Sequence, residues 1–315
     1  MATDMTNQLI TVFGGSGFLG RYVVQALLKS GARVRIAARD PQGGLYLKTQ
    51  GGLGQTQFVA ADIRKADSVA RAIAASDGVV NLVGILKGDF QAFHVDGARN
   101  VAEAATHAGV KALVQVSAIG ADPASPSAYG KSKGDGDAAV RAAFPASTIL
   151  RPSIVFGRED QFVNRFAGLI RMLPVVPIIR GSAKFQPVYV GDVAKAVAAA
   201  LGDPKTHGGK TYELGGPDVI SMGGLNRWIA KATGKRRAFI DLPDFVAGTM
   251  ASAVGWLPGA PMTKDQWLML QSDNVVAPDA KGLSAFGIIA TPLESVADGW
   301  LVQYRRHGRF ANKAG

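Results

Sequence analysis

A glycine-rich turn near the start of the chain constrains the fold more than any other feature of the sequence. A β-branched run at residues 8–13 leads directly into GGSGFLG at residues 14–20, and a helical pattern begins at once. Gly14 would make the tight turn, Gly17 would let a phosphate approach the backbone, and Gly20 would permit close helix–strand contact. This strand–turn–helix unit predicts a dinucleotide site, with the positive end of the helix facing the pyrophosphate. The predicted contact residues are Gly14, Ser16, Gly17, Phe18, Leu19 and Gly20.

The rest of the N-terminal half alternates short β-branched runs with longer amphipathic segments. Further strands are predicted at residues 33–38, 57–60, 78–83, 112–117 and 148–151, and helices at 18–30, 66–75, 90–108 and 128–143. Buried strands that alternate with helices predict an α/β fold of the Rossmann type, with a doubly wound parallel sheet. Later in the chain prolines and glycines become frequent, which indicates a smaller mixed C-terminal lobe. We expect a Rossmann domain at 1–155 and the lobe at 156–315, with about 186–202 returning to the sheet.

Composition excludes several classes of function. The 315 residues include no cysteine, which rules out a disulfide scaffold, thiolate metal sites and a cysteine nucleophile. The four histidines lack metal-ligand spacing, so no metal site is predicted. The start of the chain has no signal-peptide pattern, and we expect a cytoplasmic protein.

A strongly basic charge balance bears on the choice of partner. The net charge is +11, with local groups at residues 231–237 and 305–309. Such a balance favours phosphorylated ligands, anionic lipid or an acidic protein, and we regard nucleic acid as an unlikely partner. Each basic group is either a solvated surface or a docking surface for a membrane or a larger complex. The apolar stretch 245–262 is interrupted by glycines and prolines, which argues against a membrane span and leaves docking on a membrane or a protein open.

The end of the second predicted strand bears on cofactor choice. It carries Arg39 where NAD-specific sites usually place an acidic side chain. A guanidinium there would pair with a 2′-phosphate, so NADP(H) is favoured over NAD(H). Asp40, one residue further on, remains an alternative contact to the ribose.

Two further loops are expected to contact the nucleotide. Asp62 and Ile63 follow the third predicted strand and would lie beside the adenine, and Asp62 would also, or instead, cap the next helix. Leu82, Val83 and Gly84 end the fourth strand, where a small residue lets the backbone pass under a cofactor.

Three residues form a candidate catalytic set. Tyr129 and Lys133 are four residues apart on one face of a predicted helix, and Ser117 ends the fifth strand. The lysine ammonium would lower the pKa of the phenol, which would then exchange a proton with a carbonyl or hydroxyl group. Ser117 would hydrogen-bond the same oxygen.

On these motifs the chain resembles the short-chain dehydrogenase/reductase superfamily, in its extended or atypical branch. The resemblance covers residues 14–20, the set of Ser117, Tyr129 and Lys133, and LRPS at 150–153. It implies that Lys133 contacts the nicotinamide ribose whether or not turnover occurs. It also implies that the backbone at Pro152 and Ser153 contacts the nicotinamide carboxamide.

Two longer segments point to one group within this superfamily. FGREDQFVNRF at 156–166 and FQPVYVGDV at 185–193 resemble the nucleotide-binding accessory subunit of respiratory complex I, the NADH:ubiquinone oxidoreductase, and its bacterial relatives. The resemblance implies that NADPH is held for structure rather than turned over, in a protein peripheral to the inner face of the respiratory membrane.

Three hypotheses about function follow. The first is a binding and assembly protein that holds NADPH for complex I. The second is a stand-alone NADP-dependent reductase, epimerase or dehydratase that uses Ser117, Tyr129 and Lys133. The third is a regulator that binds the nucleotide and reports redox state to a partner.

Overall fold

The computed structural model describes residues 4–246, 248–249, 262–306 and 308, which divide into two units. Unit 1 is drawn from Met1–Pro152, Val190–Leu214 and Ala277–Ile289, and unit 2 from Ser153–Tyr189, Gly215–Val276 and Ala290–Gly315. Most of the interrupted apolar stretch at 245–262, on which the docking hypothesis drew, lies outside the described residues.

A parallel sheet forms the centre of unit 1. Its strands are β1 (Leu9–Phe13), β2 (Arg33–Ala38), β3 (Thr56–Ala60), β4 (Gly78–Asn81), β5 (Ala112–Val116), β6 (Thr148–Pro152) and β11 (Thr211–Leu214). They lie in the order β11-β6-β5-β4-β1-β2-β3, which reverses between β1 and β4. β4 and β5 are buried at every position, as strands covered on both faces must be. The predicted doubly wound Rossmann-type fold is confirmed, and ligands bind such sheets where the strand order reverses.

Helices rich in alanine and valine flank this sheet. They are α1 (Phe18–Lys29), α2 (Ala66–Ile73), α3 (Gly97–His107), α4 (Ala128–Ala143), α6 (Val190–Gly202) and α7 (Pro204–His207). Val69, Val101 and Val140, from three different helices, are each no more than 1% exposed in one apolar cluster. The helix predicted at 90–108 is two elements, because a π-helical segment, Gln91–Asp96, precedes α3.

More of the C-terminal half of the chain belongs to unit 1 than the segment at about 186–202 that was predicted to return to the sheet. β11 pairs in parallel with β6 at one edge of the sheet, and residues 277–289 also belong to this unit. β11 has only four residues, so its local pattern is too short to identify it as a strand.

Unit 2 combines short strand pairs with helices. β7 (Val155–Phe156) pairs with β10 (Val188–Tyr189), β9 (Lys184–Phe185) with β12 (Ile220–Ser221), and β8 (Val175–Ile179) with β13 (Ala238–Leu242). The helices are α5 (Val163–Met172), α8 (Met222–Ala232), α9 (Lys264–Met269) and α10 (Leu293–Leu301). Ile170, Ile229 and Leu301 meet in its apolar core and are fully buried.

Candidate nucleotide site

The glycine-rich turn has the geometry that its residue types predict. Gly14 has a φ of +77°, and a Cβ on Gly20 would lie 2.3 Å from the Gly14 carbonyl oxygen, so both positions require glycine. α1 begins at Phe18, directly after Gly17, and no side chain caps its N-terminus. The first N–H groups of α1 and the positive end of its dipole are therefore left for an anion, which fits a pyrophosphate.

A segment that the sequence analysis missed supports this turn. The Tyr46 hydroxyl, from the 3₁₀-helical segment Gln42–Gln50, donates to the Ser16 carbonyl oxygen at 3.0 Å. The Arg21 guanidinium carbon lies 5.1 Å from the centre of the Tyr46 ring. Leu19 lies in the first turn of α1, beside the same loop.

Two arginine side chains lie close to one aromatic ring near the end of β2. The guanidinium carbon of Arg39 lies 5.7 Å from the centre of the Phe93 ring, and that of Arg64 lies 4.8 Å from it. Asp40 is engaged by its own loop, because its Oδ1 accepts the Gln42 backbone N–H at 3.0 Å. The end of β2 therefore presents a cation, beside a carboxylate that already has a backbone partner.

The prediction that Asp62 caps α2 is wrong. The N-cap of α2 is Lys65, without a capping side-chain bond. Asp62 instead accepts the Arg64 backbone N–H at 3.1 Å and its guanidinium at 2.6 Å. The side-chain hydrogen bond from Arg64 is the main reason that the pKa of Asp62 falls to about 2. The short loop before α2 places Asp62 three residues too early to serve as its cap.

The residues after β3 and β4 that were predicted to contact the nucleotide also lie in unit 1. Ile63 is buried, and its carbonyl oxygen accepts a bond from Asn100 Nδ2 at 2.8 Å. A Cβ on Gly14 would lie 3.4 to 3.5 Å from atoms of Leu82 and Val83. Leu82 and Val83 therefore border the glycine-rich turn.

Lys133 is buried on α4, against the loop that follows β4. Its Nζ donates to the Val116 carbonyl oxygen at 3.4 Å, and a Cβ on Gly84 would lie 3.3 Å from Nζ. Burial lowers the pKa of Lys133 to about 8, and the charge of Asp137, one helical turn further on, opposes this fall. Lys133 and Gly84 are therefore close enough to contact the same part of a bound ligand.

Tyr129 does not have the lowered pKa that its spacing from Lys133 predicts. Burial, together with the negative charge of Asp137, raises the pKa of Tyr129 to about 12. The physical reason is first that burial disfavours the charged phenolate, and second that α4 brings the Asp137 carboxylate to the same buried face. The phenol is therefore held in its neutral form.

Ser117 follows β5 and is buried. Its Oγ and Asp137 Oδ1 are both buried, and neither has a well-formed hydrogen bond among the described residues. The Ser117 hydroxyl nonetheless lies close enough to lower the pKa of Asp137, which burial raises. A buried hydroxyl of this kind fits a polar atom of a bound ligand.

Sequence reasoning missed Asp137, Arg151 and His94. Asp137 Oδ2 lies 2.9 Å from both Nε and Nη2 of Arg151 on β6. His94, in the π-helical segment, is 2% exposed, and its ring lies edge-to-face against Tyr129 with centroids 5.5 Å apart. The spacing of Asp137 from Lys133 was an available signal, whereas a single histidine in a predicted helix was not.

The two residues predicted beside the nicotinamide carboxamide fall in different units. Pro152 ends β6 in unit 1, and its carbonyl oxygen accepts the Ile119 N–H at 3.0 Å. Ser153 opens unit 2, where its hydroxyl donates to Asn274 Oδ1 at 2.6 Å. Their contact with the carboxamide stays a prediction.

Residues 10–215 match the NAD dependent epimerase/dehydratase family. The chain belongs to this family. The match confirms the resemblance to the short-chain dehydrogenase/reductase superfamily, and nicotinamide dinucleotide binding is the family's common property. Across residues 4–246 and the other described positions, no cluster of three or more histidine or acidic side chains is arranged to hold a metal ion. Nor does any helix in the described part of the chain have the length and apolarity needed to cross a membrane.

The similarity to two relatives extends over most of the chain. A mouse protein, NADH dehydrogenase (ubiquinone) 1 alpha subcomplex subunit 9, mitochondrial, is 37% identical over 302 residues, which is 93% of this chain and 79% of that protein. Ceramide reductase of Caulobacter vibrioides is 29% identical over 96% of this chain and 98% of that protein. The similarity to both therefore includes unit 2 as well as unit 1.

A solved structure shares the fold of this family member. The Escherichia coli NADPH-dependent quinone oxidoreductase QOR2, complexed with NADPH, has a TM-score of 0.75 at 23% identity, covering 91% of this chain and 98% of that one. At this identity the likeness shows the fold alone.

Proposed function

We propose that this protein is an accessory or assembly subunit of respiratory complex I, and that it holds NADPH rather than turning it over. The observation that carries the proposal is the similarity to a mitochondrial NADH dehydrogenase subunit of mouse, at 37% identity over 93% of this chain. The state of Tyr129 supports the holding role, because burial and the charge of Asp137 raise its pKa to about 12 and favour the neutral phenol.

Three parts of the nucleotide have a proposed holder in unit 1. The N-terminus of α1 and the turn at 14–20 bind the pyrophosphate, and the Lys133 ammonium donates to the nicotinamide ribose. Arg39 pairs with the 2′-phosphate, because its guanidinium lies at the end of β2 and shares the Phe93 ring with a second cation, Arg64. This arrangement supports NADP(H) over NAD(H).

The state of the nucleotide tests the holding role. We expect the purified protein to carry NADPH, which mass spectrometry of the released nucleotide would identify. Its fluorescence should stay constant when quinone and aldehyde acceptors are added. Steady oxidation of the bound NADPH would contradict a holding role.

Association with complex I is supported by relatives named as mitochondrial NADH dehydrogenase subunits, such as the mouse protein at 37% identity. We propose a peripheral location on the inner face of the respiratory membrane, with the protein docked on the complex. The strand pair β8–β13 offers a surface for this contact. Its register places three apolar pairs on one side, called here the outer face: Val175–Ala238, Pro177–Ile240 and Ile179–Leu242.

The outer face has the chemistry of a protein-binding surface. Val175 is 42% and Ile240 is 55% exposed, although an apolar sheet face normally needs cover. Basic residues lie where the two strands begin, and Arg237 there donates to the Ile170 carbonyl oxygen at 2.9 Å. We infer that the partner presents an apolar patch with an acidic border.

A matched pair of substitutions tests the docking. Ile240→Ser on the outer face should abolish co-migration with complex I on native gels of solubilised membranes. Ile289→Ser, at a highly exposed isoleucine of unit 1, should leave co-migration unchanged. Equal co-migration of both variants with the complex would exclude the outer face as the contact.

A second candidate function is a reductase, favoured by the retention of Ser117, Tyr129 and Lys133 in unit 1. The relative named ceramide reductase, similar over 98% of its length, suggests a lipid carbonyl as substrate. Steady NADPH-dependent reduction of a long-chain keto lipid that is lost in Tyr129→Phe would establish this activity. If the wild type and Tyr129→Phe both retain NADPH without oxidising it, the holding role is favoured.

A further inference from the structure

His94 connects three elements of unit 1 through both nitrogens of its ring. Nε2 accepts the Ile85 backbone N–H at 2.9 Å, so Nε2 carries no proton. Nδ1 lies 2.8 Å from Ser132 Oγ, and this hydroxyl donates to the Tyr129 carbonyl oxygen at 2.8 Å. Since the hydroxyl proton is used there, Nδ1–H must be the donor to Ser132, which defines the tautomer.

The ring remains neutral in this position. It is 2% exposed, and burial, with the nearby charge of Lys133, lowers the pKa of His94 to about 3. Phe90 stacks on one face, with centroids 5.3 Å apart and an interplanar angle of 13°. The neutral imidazole therefore keeps one acceptor and one donor across the physiological pH range.

The bonds of His94 end next to residues that are proposed to contact the nicotinamide half of the nucleotide. Ile85 directly follows Leu82, Val83 and Gly84. A Cβ on Gly84 would lie 3.8 Å from His94 Nε2 and 3.3 Å from Lys133 Nζ. Ser132 precedes Lys133 on α4, so one imidazole fixes the loop after β4 and the Tyr129–Lys133 turn against each other.

We propose that His94 is a positioning residue for the nicotinamide half of the nucleotide, acting mainly through its bond to the Ile85 amide. The inference rests on the proposed function, because it assumes that NADPH occupies this site. Without an acceptor, the Ile85 N–H would be left unpaired and the loop carrying Gly84 would shift relative to Lys133. The adenosine half, at Arg39 and the turn at 14–20, would be unaffected.

Substitutions that keep one bond at a time test this proposal. His94→Gln can place an amide oxygen at the Nε2 position and keep the bond to Ile85, whereas His94→Asn keeps a donor to Ser132 only. His94→Phe keeps an aromatic ring and loses both bonds. We expect Kd for NADPH to rise about tenfold in the Asn and Phe variants, as for one unpaired buried amide, and to stay near wild type in the Gln variant.

A second ligand separates positioning from general destabilisation. Adenosine 2′-phosphate 5′-diphosphate lacks both the nicotinamide and its ribose, and its Kd should remain within about twofold of wild type in all variants. An equal rise in Kd for both ligands would overturn the proposed role of His94. So would an equal rise in Kd for NADPH in the Gln and Asn variants. Failure of the wild-type protein to bind either ligand would instead refute the proposed function.

Discussion

Lys133 and Asp137 lie one turn apart on α4, and both side chains are buried. The Asp137 carboxylate also receives the guanidinium of Arg151, so it lies between two cations. Its charge opposes the fall in the pKa of Lys133 and adds to the rise in the pKa of Tyr129. Burial, together with this carboxylate, explains why a tyrosine and a lysine at the expected spacing do not produce an activated phenol.

Asp137→Ala should destabilise the protein, because it leaves Nε and Nη2 of Arg151 without the oxygen that accepts from both. We expect a loss of about 2 kcal/mol in the free energy of unfolding, measured by urea denaturation. The control is Asp135→Ala on the same helix, whose more exposed pair with Lys131 should contribute less than about 0.5 kcal/mol. Similar losses in both variants would show that burial of the Asp137 pair is unimportant for stability.

Lys133 should make stability depend on pH above neutrality. Its pKa is about 8 in the folded protein and 10.5 ordinarily, so between these values the unfolded chain binds more protons. The free energy of unfolding should therefore rise with pH in this window, by up to about 1.4 kcal/mol per pH unit, and stay flat below it. His94 does not titrate in this window in either state. Tyr129 opposes the rise near the upper end of the window, because its ordinary pKa of 10.0 is raised to about 12 in the folded protein, which then binds the extra proton.

The difference between wild type and Lys133→Met isolates this effect from other titrating groups. The stability of the wild type relative to the variant should increase from pH 8 to 10.5 in urea titrations. A difference that is independent of pH would mean that Lys133 keeps an ordinary pKa.

Arg39→Ala should weaken the binding of NADPH far more than the binding of NADH. Losing one charge-assisted contact to the 2′-phosphate predicts about a tenfold rise in Kd for NADPH and little change for NADH, by fluorescence titration. Arg33→Ala, at the opposite end of the same strand and also exposed, is the matched control and should affect neither nucleotide. Equal effects of Arg39→Ala on both nucleotides would remove the basis for preferring NADP(H).

Gly20→Ala should disrupt the glycine-rich turn, because the new Cβ would meet backbone atoms of Gly14 and Gly15 at 2.3 to 2.6 Å. We expect about 2 kcal/mol of destabilisation and at least about tenfold weaker NADPH binding, measured by thermal unfolding and titration. In Gly168→Ala on α5 the Cβ has no neighbour within 4 Å, so helix propensity should raise stability by about 0.5–1 kcal/mol. NADPH binding equal to wild type in Gly20→Ala would contradict the proposed pyrophosphate site.

Local patterns identified the Rossmann unit because each of its signals extends over a few consecutive residues. The run at 33–38 matches β2, and the pattern at 128–143 matches α4, since hydrophobic periodicity and β-branching act over one element. The turn at 14–20 could be predicted in the same way, because Gly20 is required by contacts with residues only five or six positions away.

Only the tertiary structure decided how the polar residues of the site act on each other. Asp137 meets Arg151 across α4 and β6, and His94 reaches Ile85 and Ser132 from a π-helical segment that no periodicity distinguishes from an α-helix. The amino-acid sequence by itself thus determined the sheet, the nucleotide turn and the Tyr129–Lys133 spacing. The charge and hydrogen-bond state of those same residues depended on partners distant in sequence, because electrostatic and hydrogen-bond energies follow distance in space and burial rather than separation along the chain.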